Sequence, residues 1–437
     1  MRKFVCCPPN LIPEVVPNDV EYISLYSSIE PKEGVGYVAS HLKKDVRRAG
    51  ISPSVQAWDF TSIALSVSAV DESCARIKTA DGWTRQIEVT IYLRDPSAWL
   101  PQINMLEKTC RFLTGDFWKF NFLEGGEAPP QPSNRQRREY EADCISLLSG
   151  GVDSFVGAID LTMSDVKPLF VSKIVTGDQA IQRKIAIRLG AEKRFLQWSC
   201  RRFSPGEKET STRGRSIIFF AYAVLAASAL KSTVEEPVKI YVPENGFISL
   251  NVALNVARLG TLSTKTTHPV YLKNLQDVWE AVGIHARLVP VNDYCFKTKG
   301  EILSQCLDKD ILTELIGETT SCGRYGHYKK THCGRCIPCL VRRAAFLKAG
   351  ISDRTRVSAA FQRQYVFDDL YAASQEKGSA DIHAIAEAYL YFQKKGINRF
   401  VGSALLFSSF QDRGRYLDMI ARGLDEVAAL LREYGVL

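Results

Sequence analysis

The stretch Cys144–Asp160, CISLLSGGVDSFVGAID, constrains the fold of this chain more than any other. Cys144–Leu148 is short, apolar and closed off by glycine, the pattern of a buried strand. From Ser154 onward Phe155, Val156, Ile159 and Met163 recur at helical spacing. Ser149–Asp153 is therefore a tight strand-to-helix turn. Its two glycines let the backbone bend sharply and present N–H groups. The helix N-terminus adds unpaired donors and positive dipole, so the fitting guest is an anion, phosphate above all. An ordinary turn capped by Asp153 or Ser154 has the same spelling. Other loops are excluded by their letters. The chain has no Gly-Lys dipeptide for a Walker A loop, and its serines do not form G-x-S-x-G.

Around this turn, residues 143–350 alternate strands with helices. PLFVSKIV, RFLQWS and VKIYVPEN read as strands; DQAIQRKIAIRLG and Ser216–Leu230 read as helices, the first ended by Gly190. Such alternation predicts an α/β domain with a parallel sheet and ligands at the carboxyl ends of its strands. Residues 1–123 read as a β-rich α+β domain, with TSIALSVSAV and RQIEVTIYLR as strands and an Asp-Gly turn in TADGWT between them. Residues 124–142, rich in Gly, Pro and charge, read as a linker. Residues 351–437 read as helical: Asp381 caps IHAIAEAYLYFQKK, Gly396 ends it, and Leu417, Ile420, Leu424, Val427 and Leu431 share one face. No internal repeat is visible.

The 437 residues suffice for two or three domains, and 46% hydrophobic with 24% charged residues is an ordinary globular composition. The longest apolar run, Ile217–Leu230, is too short for a membrane span, and the N-terminus lacks a signal peptide's apolar core. Cytoplasmic residence, with no membrane partner, is the expectation. A net charge of +8 favours anionic substrates such as nucleotides without establishing a nucleic-acid binder.

Of twelve cysteines, eight are scattered and read as small apolar fillers. The other four, Cys322, Cys333, Cys336 and Cys339, can surround one tetrahedral Zn²⁺ in a closed, structural site; an iron–sulfur cluster is the competitor. His327 and His332, on the intervening loop, are expected to be exposed. The H-x-E and P-C-x-x-C signature of zinc deaminases is absent. Lys329, Lys330, Arg335, Arg342 and Arg343 surround the cysteines and read as a solvated basic face, with a nucleic-acid grip as the alternative.

Ser149-Gly150-Gly151-Val152-Asp153-Ser154 is similar to the S-G-G-x-D-S loop of PP-loop ATP pyrophosphatases. Together with C…C-x-x-C-x-x-C-x-x-R, it resembles the QueC-like (7-cyano-7-deazaguanine synthase) family over residues 143–350. That resemblance implies a loop that holds ATP phosphates with Mg²⁺, and ATP cleaved between its α and β phosphates. The implied substrate, 7-carboxy-7-deazaguanine, becomes an acyl-adenylate and then meets an amine. By the same resemblance Ser149–Ser154 hold phosphate, Asp153 orients the loop or Mg²⁺, Arg215 contacts phosphate or adenylate, and Lys299, favoured over Lys297, serves catalysis. A surface salt bridge is the plainer role for Arg215.

The chain departs from the family at Ser216, in PENGFISLN, in a longer cysteine loop and in both flanking regions. These departures point away from the nitrile product of plain queuosine-type biosynthesis. The enlarged architecture is similar to the QueC-like component of Qat-type anti-phage defence operons. There the implied acceptor is the N-terminus of a partner protein from the same operon, and not ammonia. A PP-loop tRNA-modifying enzyme, a nucleotide-binding zinc scaffold and a homodimer remain open.

Overall fold

The computed structural model of the chain describes all residues except 31, 176 and 255–264. The described strands build two sheets. The first contains β1 (Arg2–Cys7), β2 (Val20–Leu25), β3 (Val35–Val38), β4 (Gln86–Leu93) and β5 (Phe117–Glu124), mutually parallel in the order β5-β4-β1-β2-β3. The second contains β6 (Cys144–Leu147), β7 (Pro168–Lys173) and β8 (Phe195–Trp198). A two-residue strand, β9 (Arg202–Phe203), then returns antiparallel to the free edge of β3. The second sheet is completed by β10 (Val238–Val242) and β11 (Ala286–Pro290), all parallel in the order β11-β10-β6-β7-β8.

The two orders are the same. In each, the first strand is central, the next two lie to one side and the last two to the other. In such a sheet the ligand crevice opens at the carboxyl ends where the order reverses. In the second sheet that place lies between β6 and β10.

Helices α1 (Leu42–Arg48), α2 (Val55–Ser73), α3 (Pro96–Trp99) and α4 (Ile103–Thr114) belong to the first sheet. The second carries α5 (Val152–Met163), α6 (Gln179–Arg188), α7 (Ile217–Ala227), α8 (Gly246–Leu250), α9 (Pro269–Ala281), α10 (Lys299–Ser304), α11 (Lys309–Leu315) and α12 (Ile337–Ala349). Helices α13 (Leu370–Ser374), α14 (Ala380–Lys395), α15 (Ile397–Val401) and α16 (Phe410–Glu433) follow. Helix α2 lies on the first sheet, α7 on the second, and the two helices pack against each other. One continuous core results, running from Phe4 and Ile91 through Trp58 and Ile218 to Ile240 and Trp279. Burying each such large side chain contributes about 1.5–3 kcal/mol.

This arrangement corrects the expectation for the first 123 residues, which form a parallel α/β layer and not a β-rich α+β unit. TSIALSVSAV is part of α2. Because α2 is buried on all sides from Ala57 to Ser73, it has no amphipathic stripe, and its alternating serines imitate a strand. Those serines cost little in a helix, since Ser62 and Ser66 donate to the carbonyls of Trp58 and Ser62, at 3.2 and 2.7 Å. The Asp81-Gly82 turn leads into β4 and closes no hairpin. Strands β7, β8 and β10 and helices α6 and α7 lie where the sequence places them; β9 and β11 were not anticipated.

Between β5 and β6 the chain runs without helix or strand. It is nevertheless fastened: Tyr140 donates to the Ala49 carbonyl at 2.7 Å and Gly126 N–H to that of Leu93 at 2.9 Å. In the C-terminal part Asp381 lies in the first turn of α14, whose cap is Ser379. Helix α16 buries Ile420, Leu424, Val427 and Leu431, while Leu417 is half-buried. It crosses α8 at Gly423, where a Cβ would stand 2.3 Å from the Phe247 ring. Among the described residues no helix is long and apolar enough to cross a membrane.

Candidate functional site

The turn after β6 sits at the crevice that the strand order marks out. Gly150 adopts φ +91°, a backbone conformation that side chains resist, and a Cβ there would press on Asp178. Gly151 is the N-cap of α5, so the N–H groups of Val152, Asp153 and Ser154 have no partner within the helix. The serine hydroxyls tie the turn to itself. Ser149 and Ser154 Oγ atoms lie 2.9 Å apart, Ser149 N–H donates to Ser154 Oγ at 3.1 Å, and Ser154 Oγ donates to the Gly151 carbonyl at 3.0 Å. An anion seated at this turn would therefore meet chiefly its backbone amides.

Asp153 points down from α5 into the protein. Lys299 Nζ donates to its Oδ1 at 2.5 Å, and Asn245 Nδ2 to its Oδ2 at 2.7 Å. Burial pushes the Asp153 carboxyl up. Lys299, Glu244 and Asn245 together outweigh that and hold it below the usual carboxylate range. Glu244 behaves oppositely. Burial, then the Asp153 charge, push it well above its usual range. Lys297 is turned away, over the Tyr294 ring. With both oxygens engaged, Asp153 is placed to orient the loop.

Glu244 and Asn245 were not singled out from the sequence. They follow the end of β10, the neighbour of β6 across the crevice, and that adjacency is the signal that would have found them. Lys173 is a second omission: a lysine ending an otherwise apolar strand, β7. It is 8% exposed, and burial depresses its ammonium to about 8. Gln182 bridges the two strand ends, donating to the carbonyls of Ser149 at 2.9 Å and Lys173 at 3.3 Å. Arg215 stands apart from the Asp153–Lys299 pair. It is exposed on the turn before α7, forms no ion pair among the described residues, and adds its positive charge to the surroundings of Lys173.

Lys299 is held by the C-terminal helix. It opens α10, where Thr298 and Glu301 form a capping box. Glu426 of α16 accepts from the Thr298 hydroxyl and, at 3.3 Å, from Gly300 N–H. Burial raises the Glu426 carboxyl from 4.5 to about 7. The folded chain thus holds a proton that the unfolded chain releases between these values, so stability falls as pH rises through that window. Glu426→Gln is expected to flatten that decline, sparing about 2–3 kcal/mol by pH 8. Melting curves of both proteins from pH 5 to 8 check this; parallel pH profiles would contradict it.

The four clustered cysteines are all buried, with their Sγ atoms within 4.8 Å of one another. Cys322–Cys336 and Cys333–Cys339 are each 3.9 Å apart. Thiolates around one zinc at about 2.3 Å stand about 3.8 Å apart, so the set could hold a metal such as zinc. A four-iron cluster, which places its own cage between the thiolates, needs a wider opening. Backbone N–H groups of Arg324 and Cys333 donate to Cys322 Sγ, each at 3.3 Å. His332 is buried, against expectation. Its Nε2 accepts from Ser321 N–H at 3.1 Å, and among the described residues the cluster of ligand atoms contains the four cysteines and not His332; His327 is exposed.

The expected basic face is also corrected. Arg335, Arg342 and Arg343 are buried structural groups, and only Lys329 and Lys330 face solvent. Arg342 binds Thr355, Thr319 and the Ile316 carbonyl; Arg343 binds the Asp368 carbonyl and Tyr434; Arg335 stacks on Phe367 at 3.6 Å. Their partners lie far off in sequence, so only the fold reveals them. The segment that Arg342 fixes also supports the glycine turn, because Thr320 N–H donates to the Gly150 carbonyl at 3.0 Å. Cys322 follows two residues later. A cleft of about 750 Å³ opens beside the loop, walled by Gly177, Ile181, Gln197, Tyr325, His332 and Arg356.

The eight scattered cysteines are buried or half-buried and unpaired. Burial pushes the thiols of Cys6, Cys7 and Cys144 up to about 12, as fits inert fillers. No protein-family model, no curated protein and no solved structure matches this chain.

Proposed function

We propose that the chain is a QueC-like, ATP-dependent enzyme that activates a carboxylate, 7-carboxy-7-deazaguanine, and passes its acyl group to an amine. The observation that carries this reading is the glycine turn at the crevice between β6 and β10, braced from below by the Asp153–Lys299 pair. In this reading the amides of Gly150–Ser154 bind the phosphates of MgATP. Asp153 and Lys299 keep the loop in register, and Lys173 and Arg215 add positive charge where negative charge gathers. A substrate carboxylate oxygen attacks the α-phosphorus, the bond to the β-phosphate oxygen breaks, and pyrophosphate leaves. The amine then attacks the acyl carbon, AMP departs with the shared oxygen, and the nitrogen loses a proton to give an amide. The four cysteines hold a structural zinc.

The acceptor in this proposal is the N-terminus of a partner protein in anti-phage defence. Ammonia, leading on to the nitrile, is the outcome that would replace it. An RNA substrate is disfavoured by the burial of Arg335, Arg342 and Arg343. Reaction of ¹⁸O-carboxylate substrate with ATP is the test: AMP carrying one ¹⁸O, with pyrophosphate, is expected. ADP with inorganic phosphate would overturn the proposal. Intact-mass measurement of the co-expressed partner, with and without this protein, then decides the acceptor.

A further inference from the structure

The segment that joins β8 to α7 contains only β9 and a 3-10 turn, Gly214–Ser216. Among the described residues, every hydrogen bond and ion pair leaving it between Arg201 and Gly214 goes to the first sheet and its helices. Glu72, near the end of α2, pairs with Arg202 and accepts Glu209 N–H on its carbonyl at 2.7 Å. A connection within the second sheet is thus fastened by the first.

The decisive contact is Asp71, fully buried in α2. Its Oδ2 accepts from the N–H groups of Arg213 and Gly214, each at 2.6 Å. These groups open the turn into α7, whose own sequence supplies no cap: neither Arg213 nor Ser216 makes a capping side-chain bond. Asp71 is therefore a cap provided by another layer, a carboxylate set at a positive helix end. Its Oδ1 is held by Arg85, and Asp116 holds both Arg85 and Arg76 at 2.6–2.8 Å. The turn also lies directly against α2. A Cβ on Gly214 would stand 3.2 Å from Val67 and 3.3 Å from Asp71.

Arg215 is the next residue, exposed and without an ion pair among the described residues. Burial foremost, and then neighbouring charges that include Arg202 and Arg215, govern the Lys173 ammonium. Lys173 ends β7, and Gln182 donates both to its carbonyl and to that of Ser149 in the glycine turn, at 3.3 and 2.9 Å. The cations of the β8–α7 segment therefore gather at the carboxyl end of β7, beside the strand that carries the turn. A long side chain on a fixed backbone reaches fewer places than one on a loose loop, and it loses less entropy on meeting a ligand.

We infer that Asp71 is a positioning residue: by seating the Arg213 and Gly214 peptide groups it holds Arg215 beside the carboxyl end of β7, so that nucleotide binding on the second sheet depends on the first. The inference rests on the proposed binding of ATP. Its test is a double-mutant cycle read by calorimetric titration of the full-length protein with MgATP. Arg215→Ala, at an exposed position, should fold. So should Asp71→Asn, because Asp116 still pairs with Arg85 and Arg76. Each is expected to weaken ATP about tenfold, the scale of one charge-assisted hydrogen bond, and the double variant should bind no more weakly than either alone.

Gly214→Ala displaces the turn without removing a hydrogen-bonding group, and it should act as Asp71→Asn does. Ile91→Ala removes packing from the first sheet; it should lower the melting temperature and leave ATP affinity intact. Additive losses in the double variant, an equal loss in Ile91→Ala, or unchanged affinity in Arg215→Ala or in folded Asp71→Asn and Gly214→Ala would each overturn the inference while ATP binding stands. Wild-type protein that binds no ATP would overturn both.

Discussion

Withholding zinc from the four-cysteine cluster, which could hold it, is expected to unfold the second half of the chain. Structural zinc in small sites contributes about 10–16 kcal/mol of apparent folding free energy at neutral pH, comparable to the whole stability of a typical domain. Here the cluster also anchors what surrounds it. Helix α12 begins at Ile337, between Cys336 and Cys339, and α16 packs along α12. Cys333→Ser, or a strong chelator, should therefore lower the melting temperature by roughly 10 °C or more and drive the protein toward aggregation. Metal content and melting curves measured on the same samples check this. Wild-type protein that is colourless, metal-free and equally stable would remove zinc from the account, and a brown preparation would mean iron and sulfur.

Asp153→Ala should abolish pyrophosphate release, and it should also destabilise the protein. The sequence alone suggests a loop carboxylate whose loss leaves stability intact. The structure shows that carboxylate enclosed with the Lys299 ammonium, with side chains 5% and 8% exposed. Removing one partner of such a pair strands the other charge and costs about 3–5 kcal/mol. Replacing both, as in Asp153→Leu/Lys299→Met, should recover much of the stability without restoring pyrophosphate release. Pyrophosphate release and thermal melts on the two variants separate the effects. A single variant with normal activity and melting would show that the pair serves neither loop nor fold.

How much of this was legible beforehand depended on whether the signal was local. The turn at Ser149–Asp153 and the four cysteines are short patterns whose spacing carries their chemistry, and both lie together where the letters place them. The strands of the second sheet are continuous apolar runs, readable for the same reason. Helix α2 was not readable, since a helix buried on every side has no periodic face. Arg342 and Arg343 looked like surface charge because the carbonyls they satisfy come from other segments. Glu244 and Asn245 passed unnoticed for a topological reason. Nothing in one dimension says that β10 lies beside β6, and only that neighbourhood puts them against Asp153.

The shared strand order of the two sheets carries one more consequence. The molecule carries two sheets of one topology, as if the same hand had been cast twice. After β6 the hand is open, with two glycines and a twelve-residue helix whose amides point outward. After β1 it is closed. Pro8 and Pro9 stand at that bend, neither with an N–H to offer, and a three-residue 3-10 turn follows in place of a helix. The first sheet therefore repeats the strand order of the second without a helix N-terminus after its central strand.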